Sequence, residues 1–194
     1  MKNLQPISRV LIALAAVLMV SAYFLPLWQI LMWAPQYPEG LEMDIWINDI
    51  KGDVKIISAL NHYIGMKHIE VAMFPEFQYM GYIVGSLIGF GLLTSLINKR
   101  IMLWSYVVLL VATGVAALVD FYLWGYDYGH NLDPTAPIVV PGMSYQPPLI
   151  GTKQLLNFTA FSGPDIGGWI FVVSALLVMG ALVFEMCTSR KKVA

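Results

Sequence analysis

The chain has 194 residues, 58% of them hydrophobic and 12% charged, a mean hydropathy of +0.69 and a formal net charge of −1. So small a charged share, roughly half that of an ordinary soluble domain, excludes a water-soluble globular protein, and the near-neutral balance gives no reason to propose nucleic acid as a partner. The single cysteine, Cys187, excludes an internal disulfide, a thiolate-rich zinc site and a c-type haem, which needs Cys-x-x-Cys-His.

The first element is an apolar run at residues 10–33. Like three later runs, at 79–98, 101–124 and 166–187, it has about 20 residues or more, enough at ~1.5 Å per residue to cross a hydrocarbon core of ~30 Å. A signal peptide competes for this first run, because residues 1–9 are basic and Val20, Ser21 and Ala22 suit a peptidase. The run continues to Trp33, beyond what a signal needs, so it reads as a retained helix in which bundle partners tolerate Pro26.

The first long loop, residues 34–78, opens with Pro35, Pro38 and Gly40. Leu41, Met43, Ile45 and Ile47 then alternate with Glu42, Asp44 and Trp46 at strand period, Lys51 to Asp53 supplies a turn, and Val54 to Ile56 reads as a returning strand. From Ser58 the pattern turns helical toward Met73, with Gly65 as its weak point and Pro75 as its end. In the second run Gly81, Gly85 and Gly89 repeat every four residues, a face along which another backbone can approach.

The third run holds Asp120, a functional candidate because an ionisable group at membrane depth is costly. Pairing with His130 or Lys153 is the plainer explanation. The second long loop, residues 125–165, carries Pro134, Pro137, Pro141, Pro147 and Pro148, with a strand expected at 138–140 and a short helix at 152–159. Asn157-Phe158-Thr159 is a glycosylation sequon of little weight. The fourth run ends near Cys187.

Lys2, Arg9, Lys99, Arg100, Arg190, Lys191 and Lys192 all fall at one side of a four-helix arrangement, which the positive-inside rule makes the cytoplasm. Both termini are then cytoplasmic and both long loops periplasmic, in a bacterial inner membrane. Those loops hold ten of the twelve acids, which suits cations or a basic partner. The expected fold is an all-α membrane protein: one integral membrane domain, a four-transmembrane-helix bundle with a small extracytoplasmic α+β cap formed by the two loops. Trp28, Trp33, Tyr79, Tyr82, Tyr122, Trp124 and Trp169 would mark its outer interface.

The densest chemistry is Leu60 to Glu70, where His62, Met66 and His68 fall within seven residues. Thioether with imidazole suits Cu(I), and imidazole with carboxylate suits Cu(II) or zinc. At i and i+4, His62 and Met66 share a helix face, whereas His68 joins them only if the backbone bends at Gly65. His62, Met66, His68 and, from the second loop, His130 are therefore the candidate metal ligands. The competing reading has the two histidines hydrogen-bonded within the cap and Met66 filling its core. No histidine lies in an apolar run, so no b-type haem is expected, and no motif for phosphate binding, nucleophilic serine or zinc hydrolysis is present.

The stretches Leu25-Pro26-Leu27-Trp28, Ala34 to Leu41, Leu60 to Met66 and Gly125 to Pro134 resemble those of a family of small four-helix bacterial membrane proteins associated with nitrous oxide reductase gene clusters. The resemblance covers nearly the whole chain and assigns no catalytic or ligand residue. It implies a non-enzymatic accessory protein for a periplasmic copper enzyme, in copper handling, maturation or docking. The alternatives are a structural or anchoring subunit of a respiratory complex and, less favoured, a quinol-interacting subunit with Asp120 taking the proton.

Overall fold

The computed structural model describes residues 3–190; Lys2, Lys191 and Lys192, counted above among the basic flanks, lie outside the described residues. Its elements run α1 (Pro6–Leu18), a 3₁₀ turn (Met19–Tyr23), β1 (Trp28–Ala34), β2 (Tyr37–Ile45), β3 (Ile50–Gly52), α2 (Val54–Tyr63), a second 3₁₀ turn (Val71–Met73), α3 (Phe77–Ile97), α4 (Arg100–His130), β4 (Gly151–Leu155), β5 (Phe158–Pro164) and α5 (Ile166–Arg190). The all-α expectation is wrong. The protein is mixed, 57% helix and 18% strand, with a five-stranded antiparallel sheet beside its five α-helices.

The error begins in the first apolar run. Pro26 lacks an amide hydrogen and disfavours helical geometry at the residue before it, so the helical stretch stops at Tyr23. The remaining residues, Trp28 to Trp33, are mostly aromatic or long apolar, and they form the central strand instead. An unbroken apolar run does not tell a helix from a buried strand.

Four segments remain long and apolar enough to cross a membrane: Pro6–Tyr23, Phe77–Ile97, Arg100–His130 and Ile166–Thr188. Pro6 starts α1 at the position where a missing amide hydrogen costs nothing. α1 is the central helix, with Ile12, Ala15 and Ala16 fully buried, as are Met19 and Ala22 of the 3₁₀ turn that follows it. Leu103 and Tyr106 of α4 and Val178 and Ala181 of α5 form one buried cluster with Ile12 and Ala15 of α1. Asn98 ends α3 in the left-handed conformation (φ 59°), and its side chain accepts from the Leu4 amide at 3.0 Å.

The glycine-lined face of α3 receives a side chain rather than a backbone. Tyr23 lies over Gly81 and Gly85, its hydroxyl donating to the Gly81 carbonyl at 2.5 Å, and Gly89 has open space beside it. The close approach is at Gly91, where a Cβ would meet the Tyr106 hydroxyl at 2.6 Å.

The opposite end of the helices carries an element that the sequence reading passed over. Glu185 of α5 is 1% exposed; it accepts from the Gln5 amide (2.5 Å) and the Ser8 hydroxyl (2.8 Å) and pairs with Arg100 (2.6 Å). One carboxylate thereby ties α1, α4 and α5 together. Arg9 and Ser95 fasten α1 to α3 nearby, each side chain bonding the other's carbonyl at 2.9 Å.

The sheet order is β3-β2-β1-β5-β4. β1 follows α1 and β5 precedes α5, so the two helices continue into the two central strands, with Trp28 opposite Pro164 and Trp33 opposite Thr159. Trp28 also donates to the buried Ser162 hydroxyl at 2.8 Å. The alternation read at 41–47 holds in part: Leu41 and Met43 are buried while Glu42 is exposed. The rest of that loop differs, since Lys51 and Gly52 belong to β3 and Val54 opens α2. The expected helix at 152–159 is the β4–β5 hairpin, and residues 138–140 form no strand.

Asp44 lies on β2 with Lys51 opposite it. Burial, with the carboxylates of Glu42 and Asp165 adding to it, pushes its carboxyl above the usual range, and its Oδ1 has no hydrogen-bond partner. Because the folded state holds this proton more tightly than the unfolded chain, stability falls as pH rises from the ordinary Asp value through the raised one. Asp44→Asn is expected to raise the melting temperature at pH 7, with the gain shrinking toward pH 3; equal gains at both pH values would contradict this origin.

Candidate metal and ligand site in the cap

The Leu60 to Glu70 segment lies wholly in the cap, but it is not one helix. α2 ends at Tyr63, and Gly65 (φ 81°) reverses the chain, its amide donating to the His62 carbonyl at 3.2 Å and the Met66 amide to the Asn61 carbonyl at 2.9 Å. The bend expected at Gly65 is therefore present. A Cβ there would lie 2.8 Å from the Asp133 carbonyl oxygen, because the second loop straps over this turn: the Asp133 amide donates to Gly65 O and that of Ile138 to Tyr63 O.

The bend brings the two histidines together but turns Met66 away from them. His62 and His68 are exposed, with their rings stacked 5.6 Å apart. Met66 turns the other way and packs into the cap core against the sheet. His130 closes α4; it stacks on Tyr126 at 4.0 Å, and its Nδ1 lies 3.0 Å from the Tyr126 carbonyl oxygen. Among the described residues, no group of three or more His, Cys, Asp or Glu side chains is placed to hold a metal ion. Next to His62, the Asp133 carboxyl is held below the usual range, first by the Thr135 hydroxyl and amide that bond it.

Beneath the histidines lies a cavity of about 70 Å³ between the sheet, α2, the end of α4 and the second loop. Three methionines line it: Met32 of β1, Met43 of β2 and Met66. Ile30 pairs with Met43 and Met32 with Leu41, so Met32 and Met43 are diagonal neighbours on one sheet face. The rest of the wall is apolar or aromatic except for Asn61 of α2, with the Trp124 and Tyr128 rings tilted against each other at 4.8 Å. Tyr145, also in the wall, is 2% exposed, and its hydroxyl has no hydrogen-bond partner. A buried polar atom left unpaired is uncommon and calls for an explanation.

Sequence reasoning missed Met32, Met43 and Tyr145. Met32 sat in the supposed first helix, and Tyr145 sat in a stretch with no periodic pattern. Only Met43, on the buried phase of the alternation, carried a readable signal.

α4 runs to His130, six residues beyond the expected end at 124. Its last turns are held by i, i+4 contacts that the polar composition concealed: Tyr126 on His130, and Asp127 with Asn131. Asp127 also pairs with Lys67 at 2.5 Å. Asp120 is exposed on the same helix and pairs with no cation among the described residues: His130 bonds Tyr126, and Lys153 donates to the Gln146 carbonyl at 3.0 Å. Comparison with protein-family models, curated proteins and solved structures returns no match.

Proposed function

We propose that the protein is a non-enzymatic accessory protein of the bacterial inner membrane that presents its cap to the periplasm and handles copper for a periplasmic copper enzyme. The observation that carries this reading is the position of the soft donors. The segment holding His62, Met66 and His68 lies outside the four apolar helices, with Met66 over a methionine-lined cavity and the histidines on its outer surface. Arg9, Lys99 and Arg100 lie at the other end of the helices, which favours a cytoplasmic location for that end. The motif resemblance suggests a nitrous oxide reductase as the enzyme served.

Titrating the purified full-length protein with Cu(I) against a competing chelator tests the reading. The wild type is expected to retain copper, and a wild type that binds no better than an unrelated membrane protein would end the proposal. Its orientation is tested separately: Thr152→Cys, on the exposed hairpin and in a Cys187→Ser background, should react with a membrane-impermeant maleimide on intact spheroplasts, and labelling only after lysis would reverse the topology.

A second reading, as an anchoring subunit of a respiratory complex, is favoured by α4. From Val111 to Asp120 its residues are exposed except for half-buried Thr113, and Gly114 has nothing within 4 Å of its Cβ position. That leaves room for a helix from another chain. Co-purification of a membrane partner lost on Gly114→Leu, with Cu(I) binding unchanged, would support it.

A further inference from the structure

We infer that the cap cavity is a Cu(I) site whose ligands are the thioethers of Met32, Met43 and Met66, not the histidines. This rests on the copper reading above and goes beyond it by naming the donor set, oxidation state and place. Three separate parts of the chain deliver these donors: adjacent sheet strands supply Met32 and Met43, and the left-handed turn at Gly65 aims Met66 inward while Lys67 and His68 remain outside.

The chemistry of the wall selects the ion. Thioethers are neutral, soft donors, and no carboxylate lines the cavity, so nothing there offsets the charge of a divalent ion. A monovalent soft cation loses less on leaving water than a divalent one. Cu(I) and its analogue Ag(I) fit this environment; Zn(II) and Cu(II) do not. The buried Tyr145 side chain also lines the cavity, its hydroxyl without a hydrogen-bond partner among the described residues.

The full-length protein in detergent is titrated with Cu(I) against a chromogenic chelator, and with Ag(I) as a redox-inert probe. Met32→Leu, Met43→Leu and Met66→Leu, near in volume to the native side chains, are each expected to weaken both ions at least tenfold. The triple variant should abolish binding, whereas His62→Ala with His68→Ala and the exposed Met143→Leu should leave it within threefold of wild type. X-ray absorption of the Cu(I) form should show sulfur scatterers without imidazole.

Melting curves taken without metal identify any variant that fails to fold, and the single variants carry the test if the triple does so. If the histidine pair abolishes binding and the methionine singles do not, this donor set is wrong and the copper reading stands. If the wild type binds neither ion, both fall. A hydrophobic probe that occupies the cavity and is not displaced by Cu(I) would also overturn the assignment, marking the cavity as a site for an apolar molecule.

Discussion

Glu185→Leu is expected to cost about 3–5 kcal/mol, the scale for breaking a buried ion pair by removing one partner. Arg100 loses the Glu185 carboxylate, and the Gln5 amide and Ser8 hydroxyl lose their acceptor. Glu185→Gln keeps an acceptor for the last two and should lose clearly less. Adding Arg100→Met to Glu185→Leu removes the cation that faced the carboxylate and should recover part of the difference. Unfolding of the purified protein in mixed micelles measures all three. Equal losses for Gln and Leu would show that the hydrogen bonds are immaterial, and no recovery in the double variant would refute the part assigned to the ion pair. Because the carboxylate lies at the far end from the cap, Cu(I) affinity should be unchanged in any variant that remains folded.

Gly65→Ala is the second large effect. A left-handed residue with a Cβ costs about 1–2 kcal/mol. Here the added carbon also meets the Asp133 carbonyl at 2.8 Å and the Ala136 side chain at 3.2 Å, so the strap over the turn must move. A total near 2–3 kcal/mol is expected, with a second consequence that Glu185 variants lack: if the turn opens, Met66 is no longer aimed into the cavity and Cu(I) affinity falls. Gly65→Asn, which tolerates positive φ better, should fall between Ala and wild type in both measurements. Affinity unchanged in a folded Gly65→Ala protein would separate the turn from the site.

These two positions show what could and could not be read in advance. Gly65 was legible because glycine inside a helical pattern marks a weak point, and the chain does break there. The direction of Met66 was not, since it depends on that break: an unbroken helix would have put Met66 on the face of His62. Glu185 was passed over because it lies near the end of a convincing apolar run, where a lone acid looks like an interface residue, and its partners come from residues 5, 8 and 100. The four apolar helices were legible from run length alone, although each boundary obeyed local chemistry that hydropathy ignores. Pro26 shortened the first, and contacts four residues apart lengthened the third.

The sheet was the main thing missed, and the reason is physical. Its central pairing joins β1 to β5, partners about 130 residues apart, and no local pattern announces a match so remote. Its other hairpin turns at Leu156 and Asn157, where Leu156 takes φ 55°. The glycine that usually signals such a turn is absent. Alternation was visible at Leu41 and Met43, so one strand could be placed without its neighbours.

That remote pairing has a consequence for how the molecule is made. A ribosome delivers Trp28 to Ala34 early, and the β1–β2–β3 meander has all its residues in hand before α3 is synthesised. β1 must nevertheless keep one edge unpaired until Phe158 to Pro164 arrive, just ahead of the last apolar helix. Such an edge is sticky while it waits. Sheet completion and insertion of the final segment are thus consecutive events, and a chain stopped after α4 would carry every helix but one and no closed cap. With β5 absent, Ala160 and Phe158 are missing from the cavity wall, so the cavity is enclosed by its full wall only in a finished chain.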